Sequence, residues 1–492
     1  MAFVNQFYDV VLVETPAEHL VEANDQPPYP AIGVAYIGNY VEKVCSVTPA
    51  VMDPRLGRLT VRETVDQILS MKPRILGLSS MTYNVGVAAE ISEEVKKQLP
   101  GVVTVLGGFH ASALPEETLR EYPTFDFVGV GEGEVLFSKL VEATLSNKGT
   151  TLQIPGLWHR DKEDGRIVNQ GRGEIPPTLD ELGEPGWHLL DQDIIQQYCT
   201  DMVLMTMRGC PFSCVFCARP YGQIVRKRSA DLVVDEIERN YERYGVRIFE
   251  FWDETFTVDK KHTQAICKEI IARNLKISWR SMTHANTLDV ETAKLMKESG
   301  CMLVALGVES GDPTILKQMG KNVTMERVAE ARNVLKQVCI RVRGLYIFGH
   351  PHETFKTIFR TIRFASKLDA EETCIGILVP YPGTETYQMA LKGEGGYRKM
   401  SLKWSDYNKQ IGNAIELKNI SRRQLEMCQL LAYFWLFIVR GKWSELYKTT
   451  TASNQGFIWR AVLSIVIKIL NPTGKTYWKW FSNSGTVPQH MK

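Results

Sequence analysis

Short apolar runs alternate with stretches of helical period over the first third of the chain. Val10–Val13, Ile75–Ser79, Val102–Leu106 and Phe125–Val130 are such runs, each closing on small or polar residues. Val61–Met71 and Gly86–Gln98 carry the helical pattern, and Pro100-Gly101 stops the second. Strands alternating with helices predict a parallel sheet covered on both faces, with ligands bound beyond the carboxyl ends of its strands. The loops at those ends are Ser79-Ser80-Met81-Thr82, Gly107-Gly108-Phe109-His110 and GVGEGE at 129–134. Tight turns account for any one of them; three at equivalent positions point to a bound ligand.

Residues 149–200 lose this rhythm. IPGLWHR and GEIPPTLDELGEPG are rich in proline, glycine and acids without a period, which predicts a connecting segment after a first domain at 1–148. Alternation resumes over 201–392 with six strand candidates: Met202–Met207, Arg247–Trp252, Ile277–Met282, Met302–Val308, Val342–Phe348 and Thr373–Val379. The first helix between them has Ser229 as cap, Val233, Ile237 and Tyr241 at i, i+4, i+8, and Gly245 at its end. Six βα units are too few for an eightfold barrel. They predict a partial (β/α)6 TIM-like barrel with its chemistry at the C-terminal strand ends. Residues 393–492 read as a helical region rich in aromatics, LLAYFWLFIVRGKW and FIWRAVLSIVIKIL among them. Two readings stand for it: helices closing the barrel mouth, or a peripheral membrane contact through basic residues beside tryptophans.

Composition narrows the function. A net charge of +2 at pH 7 lacks the basic excess of a nucleic-acid binder. The N-terminus MAFVNQFYDVVLVE has neither the basic region nor the cleavage site of a signal peptide. No run reaches the ~18 apolar residues of a membrane span. Ten cysteines, scattered but for one triplet, fit the reducing cytoplasm.

That triplet, in RGCPFSCVFCARP, places Cys210, Cys214 and Cys217 directly after the first barrel strand. A structural zinc needs a fourth ligand, and Cys199 and His188 both lie upstream of that strand. A [4Fe–4S] cube held at three corners leaves one iron open, and an open position signals catalysis.

C-x3-C-x2-C with Phe216 before the last cysteine, after strand one of a six-unit barrel, resembles the radical S-adenosylmethionine (SAM) enzymes. The resemblance implies that the amino and carboxylate groups of SAM occupy the fourth iron. Reductive cleavage there yields a 5′-deoxyadenosyl radical, and the electron comes from a flavodoxin- or ferredoxin-type reductant. Asp253 and Glu254 in FEFWDETFTVD fall where the family binds the methionine ammonium, either carboxylate being a candidate. Glu309 and Ser310 in ALGVESG match positions reaching the ribose and carboxylate. RVRGLYIFGHP resembles the strand-five pattern, with Gly344 and Gly349, and VPYPGTETY the strand-six end near the adenine. Tyr346, His284 and His350 are candidates for the substrate cavity.

PPYPAIGVAYIGNYVEK, LGLSSMT, LGGFHAS and VGVGEGE resemble the Rossmann-like cobalamin-binding domain of B12-dependent radical SAM enzymes, and the likeness spans residues 5–390. The likeness covers most of that stretch, not every residue of it, and implies that Ser79, Ser80, Thr82, Gly107, Gly108, Gly131 and Glu132 contact the corrin amides or nucleotide tail. The D-x-H-x-x-G motif that supplies a lower cobalt ligand is absent; His110 is either near the corrin or a hydrogen-bonded strand-end residue. The implied activity is a methyltransferase acting on an unactivated sp3 carbon of a small molecule or peptide. One SAM methylates cobalamin, a second gives the radical, and the substrate radical takes the methyl group. Two alternatives share the cofactors: a cyclase like the anaerobic magnesium-protoporphyrin monomethyl ester cyclase, and a cobalamin or redox sensor without turnover.

Overall fold

A computed structural model describes residues 6–16, 29–146, 153–176, 178–408 and 413–439. Residues 1–422 form one compact unit and 423–492 a second.

The first sheet starts with five parallel strands: β1 (Val10–Glu14), β2 (Ala50–Met52), β3 (Ile75–Ser79), β4 (Val103–Gly107) and β5 (Phe127–Gly129). Their order is β2-β1-β3-β4-β5. The strands are buried almost throughout because helices cover both faces, as their unbroken Val, Ile and Leu runs anticipate. The helix Val61–Met71 begins at a capping box in which Thr60 and Glu63 satisfy each other's backbone N–H. The segment expected as a connector extends this sheet instead. β6 (Leu157–Arg160) pairs antiparallel with β5, and β7 (Ile167–Val168) with β6. Leu157 and Trp158 supply apolar contacts that Pro- and Gly-rich flanks conceal from a search for periodicity.

The second sheet has six parallel strands in the order β15-β14-β13-β12-β11-β8. They are β8 (Asp201–Leu204), β11 (Ile248–Phe251), β12 (Ser278–Thr283), β13 (Cys301–Glu309), β14 (Arg341–Phe348) and β15 (Glu372–Ile377). β8 and β15 stand at its edges, so the barrel is partial, as expected. The helix after the first strand runs Ala230–Tyr244 and ends at Gly245 in the left-handed conformation. Ser229 precedes it, but its hydroxyl is taken by Asp180 at 2.5 Å, and no side-chain cap forms.

Between β8 and β11 lies a small antiparallel pair, β9 (Met207–Arg208) with β10 (Arg226–Lys227). The region expected as helical from 393 begins with another, β16 (Tyr397–Met400) with β17 (Ile415–Leu417). Tyr397 is fully buried there and donates its hydroxyl to the Gly349 carbonyl at 3.2 Å. A helix, Arg422–Tyr433, follows, all of it but Arg422 in the second unit. The expectation for FIWRAVLSIVIKIL lies outside the described residues.

Candidate active site

The cysteine loop is the long connection between β9 and β10. Gly209 opens it with φ +100°, and a Cβ there would sit 2.2 Å from the Ile224 carbonyl oxygen. Only glycine fits this crossing. The Cys210 N–H donates to Gly222 O at 3.1 Å, and the Cys217 N–H to Cys214 O at 3.1 Å. Val215 N–H reaches Met319 O at 3.0 Å, tying the loop to the end of the short helix Pro313–Gln318 that follows β13. Two rings complete the frame. Phe212 stacks on His284 with centroids 4.0 Å apart, and Phe216 meets His350 edge-on at 5.5 Å.

The three thiols are electrostatic neighbours, and burial pushes Cys214 up to about 11. Such thiols need positive charge to ionise, and iron supplies it. Among the described residues no three His, Cys, Asp or Glu side chains converge tightly enough for a single ion. A four-iron cube holds its thiolates at separate corners, a wider spacing that suits three cysteines spread along one loop.

The strand-two carboxylates have different surroundings. Asp253 is buried and accepts from Thr206 N–H and Oγ1, both at 2.7 Å, and from Met207 N–H at 2.9 Å. Its oxygens are engaged in holding the approach to the cysteine loop. Glu254 Oε2 accepts from Gly209 N–H at 2.8 Å, while its Oε1 is buried without a partner. Burial pushes this carboxyl up to about 7. The geometry thus separates two neighbours that the sequence left equivalent. Thr255 Oγ1 lies 3.6 Å from Cys210 Sγ.

Glu309 ends β13 at φ +64° and pairs with Lys321 at 2.8 Å. The Lys321 ammonium also pushes the Cys214 thiol and the His284 and His350 imidazoles down, against or along with burial, so it lies central to the group. A lone lysine in MGKNV carries no sequence signal, and Lys321 was missed. Ser310 is buried with its hydroxyl 3.2 Å from Thr361 Oγ1 and accepting from Asp312 N–H, so it braces the loop. Gly349 has φ +93° and donates its N–H to Glu353, another residue the sequence did not mark. Burial holds His284 at about 4 and His350 at about 3, so both are neutral. His284 Nε2, Tyr346 Oη and both His350 ring nitrogens are buried without partners. An unsatisfied buried polar group costs ~1–3 kcal/mol, so their concentration here fits a site completed by a polar ligand.

The first sheet repeats the pattern. Thr15 Oγ1, Ser80 Oγ and both His110 nitrogens, beyond β1, β3 and β4, are buried without partners. Backbone bonds lace these ends together, Thr15 N–H to Ser79 O and Ser80 N–H to Gly107 O. Gly108 has φ +95°, and a Cβ there would lie 2.4 Å from Ser80 O, whereas one at Gly107 would meet nothing closer than 3.9 Å. The open face at Gly107 and the orphaned polar atoms fit a corrin and its tail. Thr82 is buried on the turn beyond β3. The Ser79 hydroxyl bonds Glu14, and Gly131 N–H donates to Ser112 Oγ at 3.1 Å. His110 is not the hydrogen-bonded strand-end residue of one reading: among the described residues neither ring nitrogen has a hydrogen-bond partner, and the ring lies edge-on to Trp404 at 4.8 Å.

Glu132 does something else. With Glu134 it receives Arg208, Nη1 to Glu132 Oε2 and Nη2 to Glu134 Oε1, each at 2.6 Å, and it also receives Arg226. Tyr36 and Tyr221 flank the Arg208 guanidinium at 5.1 and 4.9 Å. Strand-end loops of the two sheets therefore meet directly. Tyr29 lies edge-on to Trp252 at 5.0 Å, and a Cβ on Gly383 would lie 3.3 Å from that of Ala113.

Comparison with known proteins agrees with this geometry. The radical SAM superfamily model matches residues 204–365, and the B12-binding domain model residues 19–141. An uncharacterized methyltransferase, PH0819 of Pyrococcus horikoshii, is 32% identical over 439 residues, covering 87% of this chain and 92% of its own. The anaerobic magnesium-protoporphyrin IX monomethyl ester cyclase of Cereibacter sphaeroides is 27% identical, over 76% of this chain and 62% of its own. Among solved structures, the cobalamin-dependent SAM radical enzyme OxsB, with aqua-cobalamin and SAM bound, superposes with a TM-score of 0.73 at 16% identity, covering 94% of this chain and 72% of that one. Its likeness is one of fold. The chain belongs to the cobalamin-dependent radical SAM methyltransferase family, whose cofactors are a [4Fe–4S] cluster, SAM and cobalamin.

Proposed function

We propose that the protein methylates an unactivated sp3 carbon of a small molecule or peptide held between the two sheets. One observation carries this reading: orphaned polar atoms gather at the strand ends of both sheets, and those ends face each other. When bound, the cluster with SAM supplies a hydrogen-abstracting primary radical, and the corrin supplies a transferable methyl group.

The chain's own groups hold and aim these partners. Cys210, Cys214 and Cys217 bind three irons. Glu254 Oε1 accepts the methionine ammonium, a charge-assisted bond that would draw its carboxyl back to the ionised form. Lys321, with Glu309, faces the methionine carboxylate. Phe216 and His350 border the nucleoside, and Gly349 admits it closely. Ser80, Thr82, His110, Gly107, Gly108 and Gly131 line the corrin side, with Thr15 beside them. Glu132 is assigned to the join between the sheets. His284, His350 and Tyr346 donate hydrogen bonds to the substrate as neutral groups. Holding both reacting partners at fixed separation contributes through proximity.

A domain division into 1–148, 201–392 and 393–492 follows the two cofactors, with 149–200 between the first two, its β6 and β7 adding to the first sheet. The electron donor is a flavodoxin- or ferredoxin-type protein, and ten free cysteines suit the cytoplasm. Among the described residues no helix is long and apolar enough to cross a membrane.

The test is product analysis. Anaerobically reconstituted protein with cobalamin, SAM and dithionite is expected to release both S-adenosylhomocysteine and 5′-deoxyadenosine. 5′-Deoxyadenosine alone would favour the cyclase reading, and neither product would favour a sensor.

A further inference from the structure

The surface segment Gly222–Ile224 touches the first cluster cysteine through its backbone. Gly222 O accepts the Cys210 N–H at 3.1 Å, and a Cβ on Gly209 would come within 2.2 Å of Ile224 O. Gly222, Gln223 and Ile224 are all exposed, and so are Cys217 and Ala218 just before the Arg219–Gly222 turn. Ile224, at 79%, is the most exposed large apolar side chain among the described residues. One exposed isoleucine is ordinary on a protein surface. Its place, two residues from a direct hydrogen bond to a cluster ligand, is what singles it out.

Past this segment, β10 leads into an open cleft of about 450 Å³ lined by Val225, Lys227, Val258, Asp259, Lys260 and Lys261. Lys227 meets Asp259 at 2.6 Å and Lys260 meets Asp289 at 2.7 Å, whereas Lys261 has no acid within ion-pair distance among the described residues. From Gly209 to Ala230 the chain contains no acid. The result is an apolar point with a positive rim, joined to the cluster loop. Connectivity, more than charge, says what occupies it. The cluster must take an electron from outside before SAM can be cleaved, and electron transfer falls steeply with distance, so a carrier has to approach an exposed part of this loop. Redox encounters bury little surface, under ~1,200 Å², so a patch of this size suffices.

We infer that Ile224 with Lys227, Lys260 and Lys261 forms the docking face for an acidic one-electron carrier protein that reduces the cluster. One electron passes: the carrier is oxidised by one, the cluster is reduced by one, and no atom changes its bonds. The inference rests on the reading that the three cysteines hold a reducible cluster.

The experiment mixes the full chain, reconstituted with its cluster, with reduced flavodoxin or reduced ferredoxin and follows cluster reduction by stopped-flow absorbance and electron paramagnetic resonance. Photoreduced 5-deazariboflavin, small and uncharged, is the control reductant that needs no docking. Reduction by a carrier is expected to slow as salt rises, and to slow about tenfold in I224E and in K227Q/K260Q/K261Q. The control rate should be unchanged in both variants. Oxidised flavodoxin or ferredoxin should also slow amide exchange over 222–227 at low salt, a readout that does not depend on the cluster. Should I224E disturb the loop and slow the control as well, the lysine variant decides, since its substitutions lie outside the cysteine loop. Salt-insensitive reduction by both carriers, or equal carrier rates in the lysine variant and the unaltered chain, overturns the inference. So does a concentration-dependent dimer that I224E abolishes, which would mean a second copy covers the face. A cluster that the control itself cannot reduce overturns both this inference and the reading beneath it.

Discussion

Arg208 Nη1 lies 2.6 Å from Glu132 Oε2, joining the residue two before the first cluster cysteine to the loop at the end of β5. Both side chains are nearly inaccessible, and Glu134 and Arg226 complete the group. Without Arg208 the buried Glu134 carboxylate would lose its ion-pair partner, while Glu132 would keep Arg226 alone. Arg208→Ala is therefore expected to destabilise the chain by about 3–5 kcal/mol. Arg208→Lys should cost less but still measurably, because an ammonium cannot address two carboxylates in a fork. Denaturant midpoints of the three proteins check this ordering.

Glu254 and Asp253 are neighbours with opposite expected phenotypes. Glu254→Gln keeps an acceptor for Gly209 N–H but loses the negative charge, so SAM affinity should fall about tenfold or more while iron content is retained. Asp253→Asn disturbs three bonds to Thr206 and Met207, so it should lower stability and iron loading together. Equilibrium dialysis with SAM, beside iron and sulfide analysis, distinguishes them. Equal behaviour of the two variants would contradict the assignment.

Gly209→Ala introduces a Cβ 2.2 Å from a backbone oxygen, at φ +100°. The loop must shift, and cluster loading should drop severalfold at little cost elsewhere. Gly222→Ala, with φ +75° but nothing within 4 Å of its Cβ, should be milder.

Glu353 is buried beneath Gly349, and burial pushes its carboxyl up to about 8. Its folded value lies above the unfolded one near 4.5, so the folded chain binds the proton more tightly. The stability this contributes is complete below the unfolded value and is lost as pH rises through about 8. Thermal midpoints should decline from pH 6 to 8.5, and Glu353→Gln should flatten that decline by an amount on the order of a few kcal/mol in stability. An unchanged slope in the variant would contradict the burial argument.

The sequence made some features legible and hid others, for physical reasons. β1, β3 and β4, buried on both faces, write themselves as nearly unbroken Val, Ile and Leu runs, while barrel strands such as Arg341–Phe348 alternate buried with more accessible positions; both patterns could be placed within a few residues. Cys210, Cys214 and Cys217 were legible because thiol spacing on one loop is local. Lys321, Arg208 and Glu134 were not, since each gains meaning from a partner 12 to 76 positions away. Glu132 was legible as a loop acid but not as an ion-pair partner. Asp253 and Glu254 could be told apart only by what Thr206 and Gly209 donate to. β6, β7, β16 and β17 are too short for a period to show.

The claim on which the account rests is that three protein thiols leave one iron for SAM, beside Glu254. Electron–nuclear double resonance on the reduced cluster, with SAM labelled by 15N at its amino group and 17O at its carboxylate, addresses it directly. The account predicts hyperfine coupling from both labels, and loss of the cluster signal in Cys210→Ala, Cys214→Ala and Cys217→Ala. A cluster that shows neither coupling, or whose four irons are all bound by protein side chains, would contradict it.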